Sequence, residues 1–480
     1  MNIVLVNPRL RAWSPTVLVP LGLAYIAAVL ERGGHSIQII DMNADKVSDE
    51  SLQRGVSEAD LVGVTGMVTE YQEVLRIAGV VKRVDKHIKV VLGGPLATTF
   101  PRDLLHSSQV DFVVIGEGER TIVDLIANIK QGSSLFRSEG IGYKDDGQIV
   151  VTNCPEPIDN LDGIPFPARH LLDMARYTRN QFHNFSSRME GFGKIRSASM
   201  VTSRGCPYGC IFCYKGMWGR KWRGRTPVNV VEEMEFLQDK YNVNGFFFHD
   251  DTFVLDIKRV FQFCHLLKEK KLNMAWGCNG RANLMTKELL QTMYEAGCRE
   301  IAYGIESGDQ GMLDLLHKDI TLEQIRNAVE WTKEAGIRVN GYFMIGLPGE
   351  TKQLIRRTIA FAKELKLDFY GFSLFTPLPN TEIYKTALEG GLIKDITSLK
   401  DWDFNVNVNL TEDCSDEDLI AFQNEIFKKY TLKNFGGYYI FNPAFLKRVV
   451  TVAMSLQNGK EVKDLARRVG GIIQSYWHKV

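Results

Sequence analysis

The chain has 480 residues, 45% of them hydrophobic, which is enough to build two or three domains. Its 58 basic and 57 acidic residues give a net charge of +1, which excludes a strong overall attraction to nucleic acid or anionic membrane and favours a small-molecule substrate. The longest apolar run, residues 17–30, is shorter than a membrane span, and the opening MNIVLVNPR is unlike a signal peptide, so we expect a cytoplasmic protein with no transmembrane segment.

Residues 1–130 alternate five short β-rich runs with helical patterns. The runs NIVLV, SIQII, DLVGVTG, IKVVLGG and DFVVIGEG are continuously apolar, which indicates a parallel sheet covered by helices on both faces. We therefore predict a doubly wound, flavodoxin- or Rossmann-like α/β domain over residues 1–155.

Ligands of such sheets bind beyond the carboxyl ends of the strands. Glycines at three of these ends let a large flat ligand approach the backbone, and the absence of G-x-G-x-x-G after the first strand disfavours a dinucleotide. The candidate ligand-binding residues are Asn7, Pro8, Thr65, Gly66, Met67, Val68, Thr69, Gly93, Gly94, Pro95, Gly116, Glu117 and Gly118.

A hairpin-like stretch and a proline-punctuated linker, residues 156–195, precede a second alternation of six strand–helix units. Its strands are ASMVTS, NGFFFHD, NMAWGCNG, EIAYGIES, VNGYFMIGLP and FYGFSLFTPLP. Six such units predict a partial (β/α)6 TIM-type barrel over residues 196–395, with its chemistry at the carboxyl ends of the strands. Residues 396–480 read as helical, and Ser415-x-x-Asp418 predicts a helix start.

Three of the eight cysteines, Cys206, Cys210 and Cys213, follow the first barrel strand with the spacing C-x3-C-x2-C. Structural zinc sites usually use two C-x2-C-like pairs, and no second pair exists here. Thiolates also bind iron and sulfide, and a 4Fe–4S cube held by three cysteines leaves one iron open. We interpret the scattered cysteines as small buried hydrophobes: Cys154, Cys264, Cys278, Cys298 and Cys414.

The stretch CPYGCIFC resembles the radical S-adenosylmethionine (SAM) enzymes, whose signature is C-x3-C-x-aromatic-C, with Phe212 as the aromatic residue. The resemblance implies that SAM chelates the open iron and that one electron, from a donor such as flavodoxin or ferredoxin, yields a 5′-deoxyadenosyl radical. It assigns no catalytic residue beyond the cluster.

The same resemblance assigns SAM-binding groups to the ends of the barrel strands. Carboxylates after the second strand meet the methionine ammonium, an arginine after the third pairs with the SAM carboxylate, and residues after the fourth and fifth contact ribose and adenine. The residues are Phe212, Asp250, Asp251, Arg281, Glu306, Ser307, Ile345 and Gly346. We expect His249 to be structural.

The basic stretch Lys215–Arg225 contains Trp218 and Trp222, an arrangement that also suits nucleic acid. Because the rest of the chain shows no basic excess, we favour a loop that faces the cluster or a substrate phosphate.

The first domain resembles that of the cobalamin-binding radical SAM subfamily through VPLGLAYIAAVLERGGHSIQIID, GVTGMVTEYQEVLRIA, GGPLATTFP and VVIGEGERT. Cobalamin domains of the methionine-synthase type carry D-x-H-x-x-G after the first strand, but this loop reads NPRLRAWSP and no histidine precedes His35. The resemblance therefore implies cobalamin bound without a histidine ligand to cobalt.

The resemblance further implies that one SAM methylates reduced cobalt and that a second supplies a radical, so that an unactivated carbon of a small-molecule biosynthetic intermediate is methylated. A radical cyclase or rearrangement enzyme of the same family, as in tetrapyrrole ring formation, is the alternative. A cobalamin-free radical SAM enzyme and a non-catalytic iron–sulfur sensor or electron carrier also remain open. A methylthio-transferase is disfavoured. The resemblance implies that such relatives carry three more cysteines in the N-terminal domain, and no cysteine precedes Cys154 here.

Overall fold

The computed structural model describes residues 1–9, 18–45, 47–107, 109–132, 135, 138–178, 188–189, 191–393 and 409–426. Most of the region 396–480, predicted to be helical, lies outside the described residues. Within the described part, no helix combines the length and the apolar character that crossing a bilayer requires.

The first sheet has seven strands in the order β2-β1-β3-β4-β5-β6-β7. Strands β1 to β5 are parallel, in the order typical of flavodoxin-like folds, whereas β6 and β7 form an antiparallel hairpin that extends the edge of the sheet. The strands are β1 (Asn2–Asn7), β2 (Ser36–Asp41), β3 (Leu61–Thr65), β4 (Lys89–Gly93), β5 (Phe112–Val114), β6 (Ile141–Asp145) and β7 (Gln148–Val151).

Helices cover both faces of this sheet. The side chains of β1 alternate: Ile3 and Leu5 pack with α1 and α6, and Val4 and Val6 pack with α2 to α5. This double burial explains why the strands are continuously apolar. The helices are α1 (Leu21–Arg32), α2 (Asp49–Val56), α3 (Tyr71–Val84), α4 (Gly94–Thr99), α5 (Pro101–His106) and α6 (Gly118–Gln131).

The connection between the sheets contains short elements, α7 (Met174–Tyr177), β8 (Arg188–Met189) and β9 (Gly193–Lys194). Arg169 in this connection is almost fully buried and forms an ion pair with Glu233 of the second domain. Because a lone buried charge is costly, this pairing ties the linker to the second domain.

The second sheet has six parallel strands in chain order, and its end strands do not pair with each other, so the barrel is open. The predicted α/β fold class is confirmed. The strands are β10 (Ser197–Met200), β13 (Gly245–Phe248), β14 (Ala275–Gly280), β15 (Cys298–Glu306), β16 (Arg338–Ile345) and β17 (Phe369–Leu374), and a two-residue pair, β11 (Ser203–Arg204) with β12 (Arg223–Gly224), closes a long loop after β10.

Helices pack on the convex face of this sheet around Phe248, Phe253, Phe263 and Trp276, whose ring centroids lie between 4.9 and 5.9 Å apart. The helices are α8 (Pro227–Tyr241), α9 (Ile257–Glu269), α10 (Lys287–Glu295), α11 (Gln310–Leu315), α12 (Leu322–Glu334), α13 (Lys352–Leu365), α14 (Glu382–Glu389) and α15 (Asp416–Ile426).

Side chains that precede these helices determine where they begin. From α8 to α14, each helix follows a threonine or aspartate whose side-chain oxygen accepts a hydrogen bond from a backbone N–H of the first turn. At α15, Ser415 and Asp418 exchange hydrogen bonds between side chain and backbone N–H, as the sequence predicts. These caps hold the loops that follow each strand at the carboxyl edge of the sheet.

Candidate functional site

The three clustered cysteines lie on the loop between β11 and β12. Cys206 and Cys210 are half-buried, Cys213 is exposed, and all three are free thiols. Desolvation, followed by Asp251, Cys210 and Cys206, raises the pKa of Cys213 to about 11. The thiols are therefore close enough to disfavour one another's ionisation, and a bound cation would relieve that repulsion.

Backbone hydrogen bonds attach this loop to the barrel. The Ile211 N–H donates to the carbonyl of Leu316 at 3.2 Å, and the Ile211 carbonyl accepts from the Ile383 N–H at 3.2 Å. The Cys213 N–H donates to the Cys210 carbonyl at 3.3 Å, which forms a turn between the second and third cysteines. The loop is thus held by segments that follow β15 and β17.

The two aspartates after β13 have different surroundings. Asp250 is fully buried, and its carboxylate accepts hydrogen bonds of 2.6 Å from the backbone and hydroxyl of Thr202 and from the hydroxyl of Ser203. Asp251 borders the cysteine loop and still reaches solvent, and desolvation together with Asp250 raises its pKa. Asp250 therefore braces the start of the loop, and Asp251 is the carboxylate available to a ligand.

Arg281, after β14, lies directly against the cysteine loop. Its guanidinium carbon is 3.5 Å from the centroid of the Tyr208 ring, and it donates a hydrogen bond to the carbonyl of Lys318. Its buried Nε has no hydrogen-bond partner among the described residues. A buried donor in this position is suited to an anionic ligand group.

Glu306 ends β15 and forms a 2.8 Å ion pair with Lys318, which sequence reasoning missed. The Lys318 Nζ also lies 5.7 Å from the centroid of the ring of Phe212, the residue that stands between the second and third cysteines in the sequence. A Cβ at Gly304 would come within 2.5 Å of the Glu306 carboxylate, so glycine makes room for the pair. No motif marks Lys318, because only the tertiary fold brings it to the end of β15.

The Ser307 side chain is directed away from the Glu306–Lys318 ion pair. Its hydroxyl is fully buried, lies 3.2 Å from that of Thr358 on α13 and accepts from the Asp309 N–H. The ribose contact of Ser307 stays a prediction; in the structure its side chain packs against α13. The reason is that helix α13 crosses behind the end of β15.

Ile345 and Gly346 end β16. The Ile345 side chain is buried in the core, so only its backbone faces the edge of the sheet. The N–H groups of Gly346 and Leu347 donate to the Glu350 carboxylate at 2.7 and 3.1 Å. Burial raises the pKa of Glu350 to about 7. Glu350 therefore holds the turn at Gly346, which has a φ of +86°.

The strand ends of the first sheet form one edge. Asn7 donates to Asp41 at 2.8 Å, and the Pro8 carbonyl accepts from Asn43. Met67 is 45% exposed, and space around Gly93 is open, since nothing lies within 4 Å of a Cβ built there. The remaining predicted residues of this edge are Thr65, Gly66, Val68, Thr69, Gly94, Pro95, Gly116 and Gly118.

Gly94 has a φ of +85°, and a Cβ there would come within 2.6 Å of the Thr65 hydroxyl and 3.3 Å of the Gly66 backbone. Glycine therefore lets the ends of β3 and β4 approach each other closely. Cys154 packs here too, 3.0 Å from a Cβ built on Gly116, and it is exposed. The prediction of a buried hydrophobe is wrong for Cys154, whereas Cys264, Cys278, Cys298 and Cys414 are buried.

Buried ion pairs connect the first sheet to the cysteine loop. Arg204, two residues before Cys206, contacts Glu119 at 2.5 Å and Glu117 at 3.4 Å, and Arg223 contacts Glu117 at 2.8 Å. Glu117 also accepts a hydrogen bond from the Ile158 N–H. The Glu117 carboxylate is thus engaged between the domains, which leaves its backbone for the predicted ligand role.

Most of the predicted basic stretch is engaged in the same way. Arg225 pairs with buried Glu233, Lys221 pairs with Asp159 at 2.6 Å, and Lys215 donates to the Tyr208 carbonyl. The stretch braces the cysteine loop and the domain contact.

His249 is held within the barrel. Its ring Nε2 is 3.1 Å from the Ser199 hydroxyl, and its backbone N–H donates to the Met200 carbonyl. Burial lowers its pKa, so it is neutral at physiological pH. These contacts are typical of a structural histidine.

Comparisons with known proteins agree with this geometry. A family model described as the Radical SAM superfamily matches residues 200–362, and one described as a B12 binding domain matches residues 10–126. An uncharacterized methyltransferase of Pyrococcus horikoshii is 33% identical over 379 residues, covering 78% of this chain and 79% of the relative. An anaerobic magnesium-protoporphyrin IX monomethyl ester cyclase of Rubrivivax gelatinosus is 27% identical, covering 80% of this chain and 70% of the relative.

Among solved structures, the radical S-adenosylmethionine methyltransferase TsrM from Kitasatospora setae, with cobalamin and a 4Fe–4S cluster bound, superposes with a TM-score of 0.68 at 22% identity. The superposition covers 81% of this chain and 78% of that protein. This likeness shows that the two chains share a fold.

Proposed function

Because this chain belongs to the cobalamin-binding radical SAM family, as a methyltransferase-like enzyme, we propose that it methylates an unactivated carbon of a small-molecule biosynthetic intermediate. One observation carries the proposal: segments that follow strands β4 and β5 of the first sheet contact the three-cysteine loop that follows β10 of the second. When bound, the cluster and SAM supply a 5′-deoxyadenosyl radical, and cobalamin supplies the methyl group. The chain's own task is to hold these groups and the substrate in one water-poor cleft.

We propose that Cys206, Cys210 and Cys213 hold three irons of a 4Fe–4S cluster. Three free thiols on one braced loop fit this group, and the loop has no fourth cysteine. Structural zinc sites usually take four protein ligands, whereas three thiolates suffice for a 4Fe–4S cluster that leaves one iron open, so this donor set supports the cluster better than a zinc site.

For SAM, the surroundings favour particular members of the predicted set. Asp251 is the carboxylate free to accept the methionine ammonium, and the unpartnered Nε of Arg281 suits the SAM carboxylate. Glu306, neutralised by Lys318, is suited to ribose hydroxyls. The backbone at Ile345 and Gly346 is suited to the adenine edge.

Cobalamin fits the edge of the first sheet because a corrin needs close backbone approach, which Gly93 and Gly94 permit. None of the residues at these strand ends is histidine, so we propose cobalamin without a histidine ligand. The Met67 side chain projects from the end of β3 and is exposed to a ligand on this edge. A one-electron donor such as flavodoxin or ferredoxin, and a cytoplasmic setting, complete the proposal.

The test is anaerobic turnover of reconstituted protein with SAM, reductant and candidate substrates, with and without cobalamin. Methylation predicts 5′-deoxyadenosine and S-adenosylhomocysteine together, and only when cobalamin is present. Failure to form either product would refute the proposal. Deoxyadenosine without S-adenosylhomocysteine would support radical cyclisation or rearrangement, the second candidate, which the similarity to the Rubrivivax gelatinosus cyclase favours.

A further inference from the structure

Tyr214 directly follows Cys213 in the chain, yet its side chain contacts the first domain. Its hydroxyl lies 2.8 Å from the hydroxyl of Thr99 and 3.4 Å from the carbonyl of Pro95, both on α4. Helix α4 begins at Gly94, directly after the last residue of β4. One side chain thus connects the third cysteine to the glycine turn of the other sheet.

The direction of these hydrogen bonds follows from the neighbouring groups. The Thr99 hydroxyl donates to the Pro95 carbonyl at 2.7 Å, so it accepts from Tyr214. The tyrosine hydroxyl carries one proton, which it can donate to either acceptor. The Tyr214 proton is therefore shared between two acceptors of α4.

A second pair of groups repeats the connection beside it. The Thr98 hydroxyl donates to the Met217 sulfur at 3.3 Å and accepts from the Gly116 N–H at 3.0 Å. Adjacent threonines of α4 thus hold the cysteine loop on one side and the end of β5 on the other. Two predicted cobalamin segments and the cluster loop meet at this point.

Gly216 makes the placement of Tyr214 possible. A Cβ at Gly216 would overlap the hydroxyl and ring of Tyr214. The tyrosine side chain folds back over its own loop, and a side chain at residue 216 would push the hydroxyl off Thr99. Glycine at residue 216 therefore permits this position of the tyrosine.

We propose that Tyr214 is a positioning residue that fixes helix α4 against the cluster loop, so that cluster assembly and cobalamin binding reinforce each other. The inference rests on the proposed function. Bonds from the three thiolates to a cluster would add to the backbone hydrogen bonds that hold this loop, and so would restrict Tyr214 further to its contact with α4. If the bound cluster orders α4, it lowers the dissociation constant of cobalamin. Because coupling between two sites is reciprocal, bound cobalamin then strengthens cluster binding by the same factor.

The test is the dissociation constant of hydroxocobalamin, measured by equilibrium dialysis on the full chain with and without the reconstituted cluster. We expect the cluster to tighten binding about five-fold, the factor for one hydroxyl hydrogen bond. Tyr214→Phe, Thr99→Val and Gly216→Ala should each bring that ratio close to one. The double variant Y214F/T99V should lose no more than either single variant, because both remove the same bond.

Tyr241→Phe is the matched control, since the buried Tyr241 hydroxyl has no hydrogen-bond partner among the described residues, and it should keep the wild-type ratio. Iron content and circular dichroism check that each variant folds and loads its cluster. A wild-type ratio of one, or an unchanged ratio in Y214F and T99V, overturns the inference alone. A wild-type chain that binds no cobalamin overturns the proposed function as well.

Discussion

Glu350 should make the stability of this protein depend on pH in an unusual direction. The carboxyl is fully buried at the turn after β16, and burial raises its pKa from 4.5 to about 7. Because the folded state keeps the proton that the unfolded state releases, this contribution to stability is present below pH 4.5 and is lost as pH rises toward 7. At about 1.4 kcal/mol per pH unit, the loss amounts to about 3 kcal/mol.

Glu350→Gln tests this reasoning, because glutamine keeps an acceptor for the Gly346 and Leu347 N–H groups but cannot ionise. Urea unfolding of cluster-free protein at pH 5 and pH 8 should show the wild type losing about 2.5 kcal/mol more than the variant over this interval. Glu382→Gln, on the exposed start of α14, controls for the substitution itself. Equal pH dependence in wild type and E350Q would refute the assignment of a buried, protonated Glu350.

Three further predictions follow from the site. Cys213→Ser should abolish the iron–sulfur absorbance and deoxyadenosine formation while leaving the circular dichroism unchanged, and a variant that still cleaves SAM would contradict the cluster assignment. Arg204→Met should cost about 3–5 kcal/mol of stability in thermal unfolding, because it strands buried Glu119; a change below about 1 kcal/mol would show that the pair is not buried. Ser307→Ala should lower stability by about 1 kcal/mol through the lost contact with Thr358. If that contact is the main role of the side chain, the SAM dissociation constant in equilibrium dialysis stays unchanged, whereas weaker SAM binding would support the predicted ribose contact.

The strands and helices could be predicted from sequence because their signals are local. Each of the six barrel strands overlaps the run that predicts it. Strand β13 (Gly245–Phe248) lies wholly within NGFFFHD, as β14 and β17 lie within their runs, whereas β10, β15 and β16 begin one or two residues before theirs. Burial on both faces makes such runs continuously apolar. The hairpin of β6 and β7 is also predicted by its local sequence. Its addition to the first sheet depends on pairing with β5, which no local pattern encodes.

The partners of the charged residues at the site are not encoded by any local pattern. Arg223 stands in a basic stretch that suggests a phosphate or a cluster as its partner, yet it pairs with Glu117, which lies 106 residues earlier in the chain. Lys318 shows no motif at all and reaches Glu306 only because α11 turns back over the end of β15. Partners that are distant in sequence become neighbours only when the sheets and helices have packed.

By itself, the sequence determined the chemical capacity of this protein: three thiols at C-x3-C-x2-C spacing, glycines at strand ends, and two alternations of strand and helix. Those properties reside in residue type and short spacing, which folding does not change. The tertiary structure alone decided which groups are free to act. It engages Asp250, Ser307 and Glu117 in internal hydrogen bonds and ion pairs, and it leaves Asp251 and Arg281 beside the cysteine loop. The physical reason is that a buried polar group needs a partner, and most partners of these groups are far away in the chain, so that only folding brings them together.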